Sequence, residues 1–430
     1  MPKKLGLSGK KRGNQKRVHV DERTIATVLD ARAETPAYIY DLDAIEAEAG
    51  ALEAAFGSRA HGVFYAVKAN SAGSIVRALA SHGVGADVVT GAELLLALAC
   101  GVSPEKIVYS GVAKTDEEID VAVTSGDRGI RAIQVESIEE VGRVHARART
   151  AGRVQRIAIR VNPGLDFEEL ATHAHVATGH DEAKFGIASA DLDAALAAIA
   201  SAKNLSLAGI SSHVGSQFFK TAPYVAAARI ACDLSRAVRD RFPLEFVDTG
   251  GGFGVDYTGA ACAKPADFVR ETLSVMREAR VDDLALHVEP GRVLVAAHGV
   301  LLARVIQRKV SPSSGQKWLM IDAGMNDLIR PALYQAKHRV VAIASSSKKT
   351  SAWRVVGPCC ESADDFGEHA LPDEGFDYVA LLDAGAYGYT MASRYNGRAF
   401  ASEVFLRGTE LVSVSPRAPL RAWADERART

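Results

Sequence analysis

"HGVFYAVKANSAGSIVRALASHGVGADVVTGAELLLALACG", residues 61–101, holds the pattern that decides the fold. Two β-rich runs, "VFYAV" and "ADVV", each lead into a segment whose apolar residues recur at helical spacing. A strand, a helix, a second strand and a second helix in this order imply parallel strands with helices packed outside them. Working outward, the alternation continues through "KIVYS", "IRAIQV", "RIAIRV", "LAGISSHV", "LEFVDTG" and "LALHVE" as far as residue 290. Eight such runs predict an α/β fold, a (β/α)8 barrel of the TIM type, entered through a helix over "DLDAIEAEAGALEAAFG".

Beyond residue 295 the texture changes to β-branched runs broken by turns: "GVLLARVIQRKV", "KWLMIDAG", "HRVVAIASS", "WRVVGP", "DYVALLDAGAYG" and "ASEVFLRG". No long amphipathic helix separates them, so this part reads as a distinct, mostly-β domain. The organisation expected is a barrel over residues 36–295, a C-terminal β domain over 296–430, and a basic tail in 1–35 that lends the β domain a strand.

Bulk properties narrow the partners. With a formal net charge of -1 and 24% charged residues, nothing draws the chain toward nucleic acid or a membrane surface, and a small-molecule partner is expected. The five cysteines have neither zinc-type nor secreted-disulfide spacing, so no metal site and a reducing cytoplasm are expected. The N-terminal stretch has seven Lys or Arg before Asp21 but lacks the apolar core of a signal peptide.

A barrel of this kind builds its active site at the C-terminal ends of its strands. Lys68 follows the first run, Asp87 lies in the second, Arg160 in the fifth and His213 and Ser216 at the end of the sixth. Gly250, Gly251 and Gly252 follow the seventh, and "HVEPGR" (residues 287–292) brings Glu289, Gly291 and Arg292. Taken singly, Lys68 reads as a solvated lysine, His213 as a hydrogen-bonded core histidine and the three glycines as a tight turn. Together they match the needs of a pyridoxal phosphate site. These are an amine for a Schiff base, bare backbone N–H groups for a phosphate, a flat ring to stack on the pyridine and an acid for its nitrogen.

The motifs "FYAVKAN", "GADVVTGAEL", "RVNPG", "HVATGHDEAKFGI", "SSHVGSQ", "DTGGGFGVDY", "EPGR", "DAGMNDLIRPALYQAKH", "GPCCESADDF" and "DAGAYGYTMASRYNGR" resemble, in order, those of the fold-type III pyridoxal phosphate decarboxylases. Within that group the resemblance is to the diaminopimelate decarboxylase family, from about Pro36 to near Arg407. It implies an alanine racemase-like architecture and the decarboxylation of meso-2,6-diaminopimelate to L-lysine and carbon dioxide, the last step of lysine biosynthesis.

The same resemblance implies the roles. Lys68 carries the cofactor covalently, with Asp87 in the cofactor site; His213 stacks on the ring and Glu289 faces the pyridine nitrogen. Ser216, Gly251, Gly252, Gly291, Arg292 and Tyr387 hold phosphate and ring. Arg292, Arg330, Tyr334 and Tyr387 contact substrate, Cys360 donates a proton and Glu361 faces the distal amine. In the family, the residues matching Cys360 and Glu361 reach into the partner subunit, so a homodimer with shared active sites is implied. Outside the motif Cys360 reads as a small buried hydrophobe and Arg330 as a surface ion-pair partner; Cys359 reads as packing.

Val293, where relatives often carry a small polar residue, and Ala363, where Gly is usual, depart from the pattern and bear on substrate geometry. Rival readings keep the chemistry with ornithine, arginine, carboxynorspermidine or a carrier-bound amino acid, or keep the fold as a non-catalytic regulatory homologue. Alanine racemase carries Arg at the pyridine nitrogen, and Glu289 disfavours it.

Overall fold

A computed structural model describes residues 21–30, 33–164, 184–258, 262–345, 347 and 349–429. Residues 1–20 of the basic tail and most of "HVATGHDEAKFGI" lie outside the described residues. The strands, in chain order, are β1 (Ala37–Asp41), β2 (His61–Ala66), β3 (Gly85–Val88), β4 (Ile107–Tyr109), β5 (Ala132–Val135), β6 (Gln155–Asn162), β7 (Ile187–Ala188), β8 (Leu205–Ser211), β9 (Phe246–Asp248) and β10 (Ala285–Val288). There follow β11 (Gly299–Val310), β12 (Lys317–Ile321), β13 (Val340–Ile343), β14 (Thr350–Val356), β15 (Asp365–Pro372), β16 (Tyr378–Leu381), β17 (Ser402–Arg407) and β18 (Glu410–Ser415).

All eight alternating runs are barrel strands. They pair in the order β5-β4-β3-β2-β10-β9-β8-β6, and β5 pairs with β6 to close the ring. Every barrel pairing is parallel, and the two-residue β7 hangs on the outside of β6. Helices start where the sequence caps them. The hydroxyls of Thr90, Thr115 and Ser137 accept the N–H of Glu93, Glu118 and Glu140, the residues three ahead, after β3, β4 and β5. Leu286 and Val288 face the helix layer of the large core, while Ala132, Ala158, Ala208 and Phe246 fill the barrel interior. A Cβ on Gly209 would lie 2.2 Å from the Phe246 ring, so that ring needs the small residues around it.

The second sheet runs β15-β14-β12-β11-β1-β17-β18, with β16 and β13 joined to β11 through β16. Its N-terminal strand is Ala37–Asp41, antiparallel to β11 and parallel to β17. That strand was expected within residues 1–35. Among the described residues, that region holds instead the helix Glu22–Asp30. β15 and β18 lie outside the expected runs: Gly367, Glu368 and His369 break the apolar pattern of the first, and β18 is largely exposed. β1 runs without a linker into the helix Leu42–Ala54, capped by Asp41, the last residue of the strand, so the β domain and the barrel share one continuous entry. No described helix is long and apolar enough to cross a membrane.

Candidate active site

Side chains alternate along a strand, so a residue two places beyond an interior residue also faces inward. Beyond Ala132, Ala158, Phe246 and His287 stand Gln134, Arg160, Asp248 and Glu289, and these polar groups form the top of the barrel interior. Gln134 joins them: its Nε2 donates to Glu289 Oε1 at 2.6 Å and Asp248 Oδ2 at 3.1 Å, and its Oε1 accepts from the Ser211 hydroxyl at 3.1 Å. Burial, reinforced by Asp248 and Asp87, pushes Glu289 well above the usual carboxylate range, and burial also raises Asp248. A dry space crowded with acids favours a cation among them.

Lys68 supplies one. It lies in the turn Val67–Ala69 directly after β2, and its Nζ donates to Asp87 Oδ2 at 2.8 Å. The other oxygen of Asp87 accepts from the Ser110 hydroxyl. Burial alone would lower the Lys68 amine, but Asp87, Tyr387 and Glu289 outweigh it and hold the amine above its ordinary value.

The glycine loop after β9 is a close-approach device. A Cβ on Gly251 would lie 2.0 Å from the Glu289 carbonyl oxygen, and one on Gly252, whose φ is +95°, 2.3 Å from that of Gly215. The Gly251 N–H donates to His213 Nδ1 at 3.2 Å, which leaves the proton of the neutral ring on Nε2. Burial first, then Arg160 and Lys68, hold His213 well below the ordinary imidazole range, so this ring is uncharged.

A second group continues from Glu289. A Cβ on Gly291 would lie 3.0 Å from that of Ala66, so the turn sits tight against the end of β2. Arg292 donates through Nη1 to the Tyr257 hydroxyl at 3.1 Å and through Nη2 to Ser216 Oγ at 3.3 Å, and its guanidinium lies 4.8 Å from the Tyr387 ring centre. Tyr387, at φ +55°, donates its N–H to the Ala69 carbonyl at 2.8 Å and so belongs to the Lys68 turn. The Arg330 guanidinium lies 4.7 Å from the Tyr257 ring centre, and Arg330 Nη1 donates to His338 Nε2 at 2.7 Å. Tyr334 is half-buried on the same short helix, Arg330–Tyr334, close enough to bear on the charge of Arg292.

One chain thus brings together Lys68, Asp87, His213, Ser216, Gly251, Gly252, Glu289, Gly291, Arg292, Arg330, Tyr334 and Tyr387. It does not bring Cys360 or Glu361 to them. Both are exposed: the Cys360 N–H donates to Asn396 Oδ1 at 3.0 Å, and Glu361 Oε1 accepts from the Tyr395 hydroxyl at 2.5 Å. Cys359 is buried, its thiol 3.2 Å from Asn326 Oδ1. Gln134, Tyr257 and His338 join the site only through contacts the fold makes. Gln134 is a lone amide inside an apolar run; Tyr257 and His338 close the motifs "DTGGGFGVDY" and "DAGMNDLIRPALYQAKH".

Residues 42–296 match the family model described as pyridoxal-dependent decarboxylase, pyridoxal binding domain. A diaminopimelate decarboxylase of Zymomonas mobilis is 36% identical over 395 residues, 90% of this chain and 91% of that protein. The chain belongs to the diaminopimelate decarboxylase family. A member from Pseudomonas fluorescens is 38% identical over 92% of this chain and 93% of its own length. The crystal structure of the Helicobacter pylori enzyme complexed with L-lysine superposes with a TM-score of 0.86 at 34% identity, covering 93% of this chain and 98% of that one.

Pyridoxal phosphate is the cofactor of this family, and the residues present fit it. The loop at Gly250 to Gly252 admits no side chain, Arg292 Nε is buried without a partner, and the acids around Lys68 call for a cation. A protonated pyridine ring facing Glu289 would supply that cation.

Proposed function

We propose that this chain decarboxylates meso-2,6-diaminopimelate with pyridoxal phosphate, releasing carbon dioxide and L-lysine in the last step of lysine biosynthesis. When bound, the cofactor supplies a protonated ring that takes up the electron pair left at Cα as the carboxylate departs. Lys68 would hold the cofactor through Nζ. Glu289, fixed by Gln134, would keep a proton on the ring nitrogen, and the uncharged His213 would lie against the ring. Gly251, Gly252, Ser216 and Tyr387 would hold the phosphate with the turn from Glu289 to Arg292.

Arg292, Arg330 and Tyr334 hold the carboxylates of the substrate. The observation that carries this reading is the pair of guanidiniums flanking Tyr257, neither with an ion-pair partner among the described residues. Uncompensated cations at Tyr257 suit a substrate that brings its own anions. Cys360 and Glu361, exposed within one chain, complete the site of the other subunit in a homodimer: Cys360 returns a proton to Cα and Glu361 faces the distal amine. The five free cysteines suit a cytoplasmic enzyme.

Carbon dioxide release from meso-diaminopimelate, its LL isomer, ornithine, arginine and lysine tests the reading. The meso isomer is expected to give the highest kcat/KM. A preference for ornithine would overturn the substrate while sparing the chemistry.

A further inference from the structure

We infer that His338 is the positioning residue that aims Arg330 at the substrate, and that it does so as a permanently neutral imidazole. The inference rests on the proposed role of Arg330 as a carboxylate anchor. His338 is buried, and each of its ring nitrogens has one fixed task. Nδ1 lies 2.9 Å from the carbonyl oxygen of Leu382, which can only accept, so Nδ1 carries the proton. Nε2 therefore presents a lone pair, and Arg330 Nη1 donates to it at 2.7 Å. A carbonyl one residue beyond β16 thus dictates the tautomer that grips Arg330.

The choice of imidazole over carboxylate has a chemical reason. A buried Asp or Glu at this place would neutralise Arg330 and compete with an incoming substrate anion. The imidazole fixes one guanidinium nitrogen and leaves the positive charge uncompensated. Burial and the adjacent cation pull the His338 pKa down to about 3, so the ring stays an acceptor throughout the working range of the enzyme.

The groups around it support the same task. The His338 ring packs edge-on to Tyr257 with centres 5.4 Å apart, and Tyr257 also meets the Arg330 guanidinium and the Arg292 Nη1 donor. His338 therefore braces both the arginine and the aromatic plate against which it lies. Arg330 itself stands at the start of a five-residue helix whose Gln335 cap is left-handed at φ +54°, a short element that needs such bracing.

The test compares His338→Phe, which keeps a ring against Tyr257 but has no acceptor, with His338→Gln, which can place a carbonyl oxygen where Nε2 stands. In the holoenzyme, His338→Phe is expected to raise KM for meso-diaminopimelate and the dissociation constant of L-lysine about tenfold. The kcat should stay within about twofold and cofactor content should not change. His338→Gln is expected to recover most of the affinity. With Arg330→Met, the double variant should be no worse than Arg330→Met alone, since both act through one guanidinium. A normal KM in His338→Phe, beside a raised KM in Arg330→Met, overturns the role of His338 and leaves the anchor intact. A normal KM in Arg330→Met overturns the anchor reading itself. Equal losses in kcat and KM for both His338 variants would mark a merely structural residue and also overturn the inference.

Discussion

Gln134 and Glu289 meet across the full width of the barrel: β5 and β10 stand four strands apart in either direction around the ring, yet Gln134 Nε2 lies 2.6 Å from Glu289 Oε1. Because the same nitrogen also reaches Asp248, one amide holds two buried acids. Gln134→Leu leaves both without this donor, a loss of about 1–3 kcal/mol. The apoprotein of that variant is expected to bind pyridoxal phosphate roughly tenfold more weakly by equilibrium dialysis. Unchanged affinity would mean that Glu289 is held by other contacts.

Gly251→Ala tests the glycine loop. Its methyl would meet the Glu289 carbonyl oxygen at 2.0 Å, and backbone at this point cannot swing aside as a side chain would. We expect a destabilisation of about 1–3 kcal/mol in denaturant unfolding. Cofactor loss on dialysis should accompany it, because the Gly251 N–H that fixes His213 moves with the loop.

The burial of His338 also has a sign that can be measured. Its folded pKa, about 3, lies below the unfolded value, near 6.5. A depressed pKa contributes stability in full above the unfolded value and loses it as pH falls toward the folded one. His338→Gln does not titrate. The stability of the wild type minus that of His338→Gln should therefore shrink by about 2 kcal/mol between pH 8 and pH 5. A difference that stays constant would show that the ring is not held neutral.

The proposed sharing of active sites between subunits is tested by a mixing experiment. Lys68→Ala and Cys360→Ala are each expected to be inactive alone. Unfolded together and refolded, they should regain about a quarter of wild-type activity, since half of the dimers are mixed and each of these holds one intact site. No recovery would place Cys360 in the site of its own chain, or outside it.

The barrel was legible because its strands differ from its helices in period, and all eight runs form strands. β15 and β18 escaped notice because their side chains face water on much of their length, so no apolar alternation marks them. Ala37–Asp41 is nearly all buried and falls inside the segment expected to form the barrel, 36–295, although it pairs with β11 and β17 from far along the chain. At the site, strand-end position exposed Lys68, His213 and Glu289. Gln134 lies one step inside its strand, and the contact that gives it meaning comes from across the barrel. His338 is eight residues from Arg330, and only the fold over Leu382 sets its tautomer.

The most direct measurement of the central claim is peptide mapping of the borohydride-reduced holoenzyme by mass spectrometry. One phosphopyridoxyl group per chain, on the peptide containing Lys68, is the expected result, and Lys68→Ala should carry none. A label on another lysine, or an unlabelled protein after incubation with pyridoxal phosphate, would contradict the account.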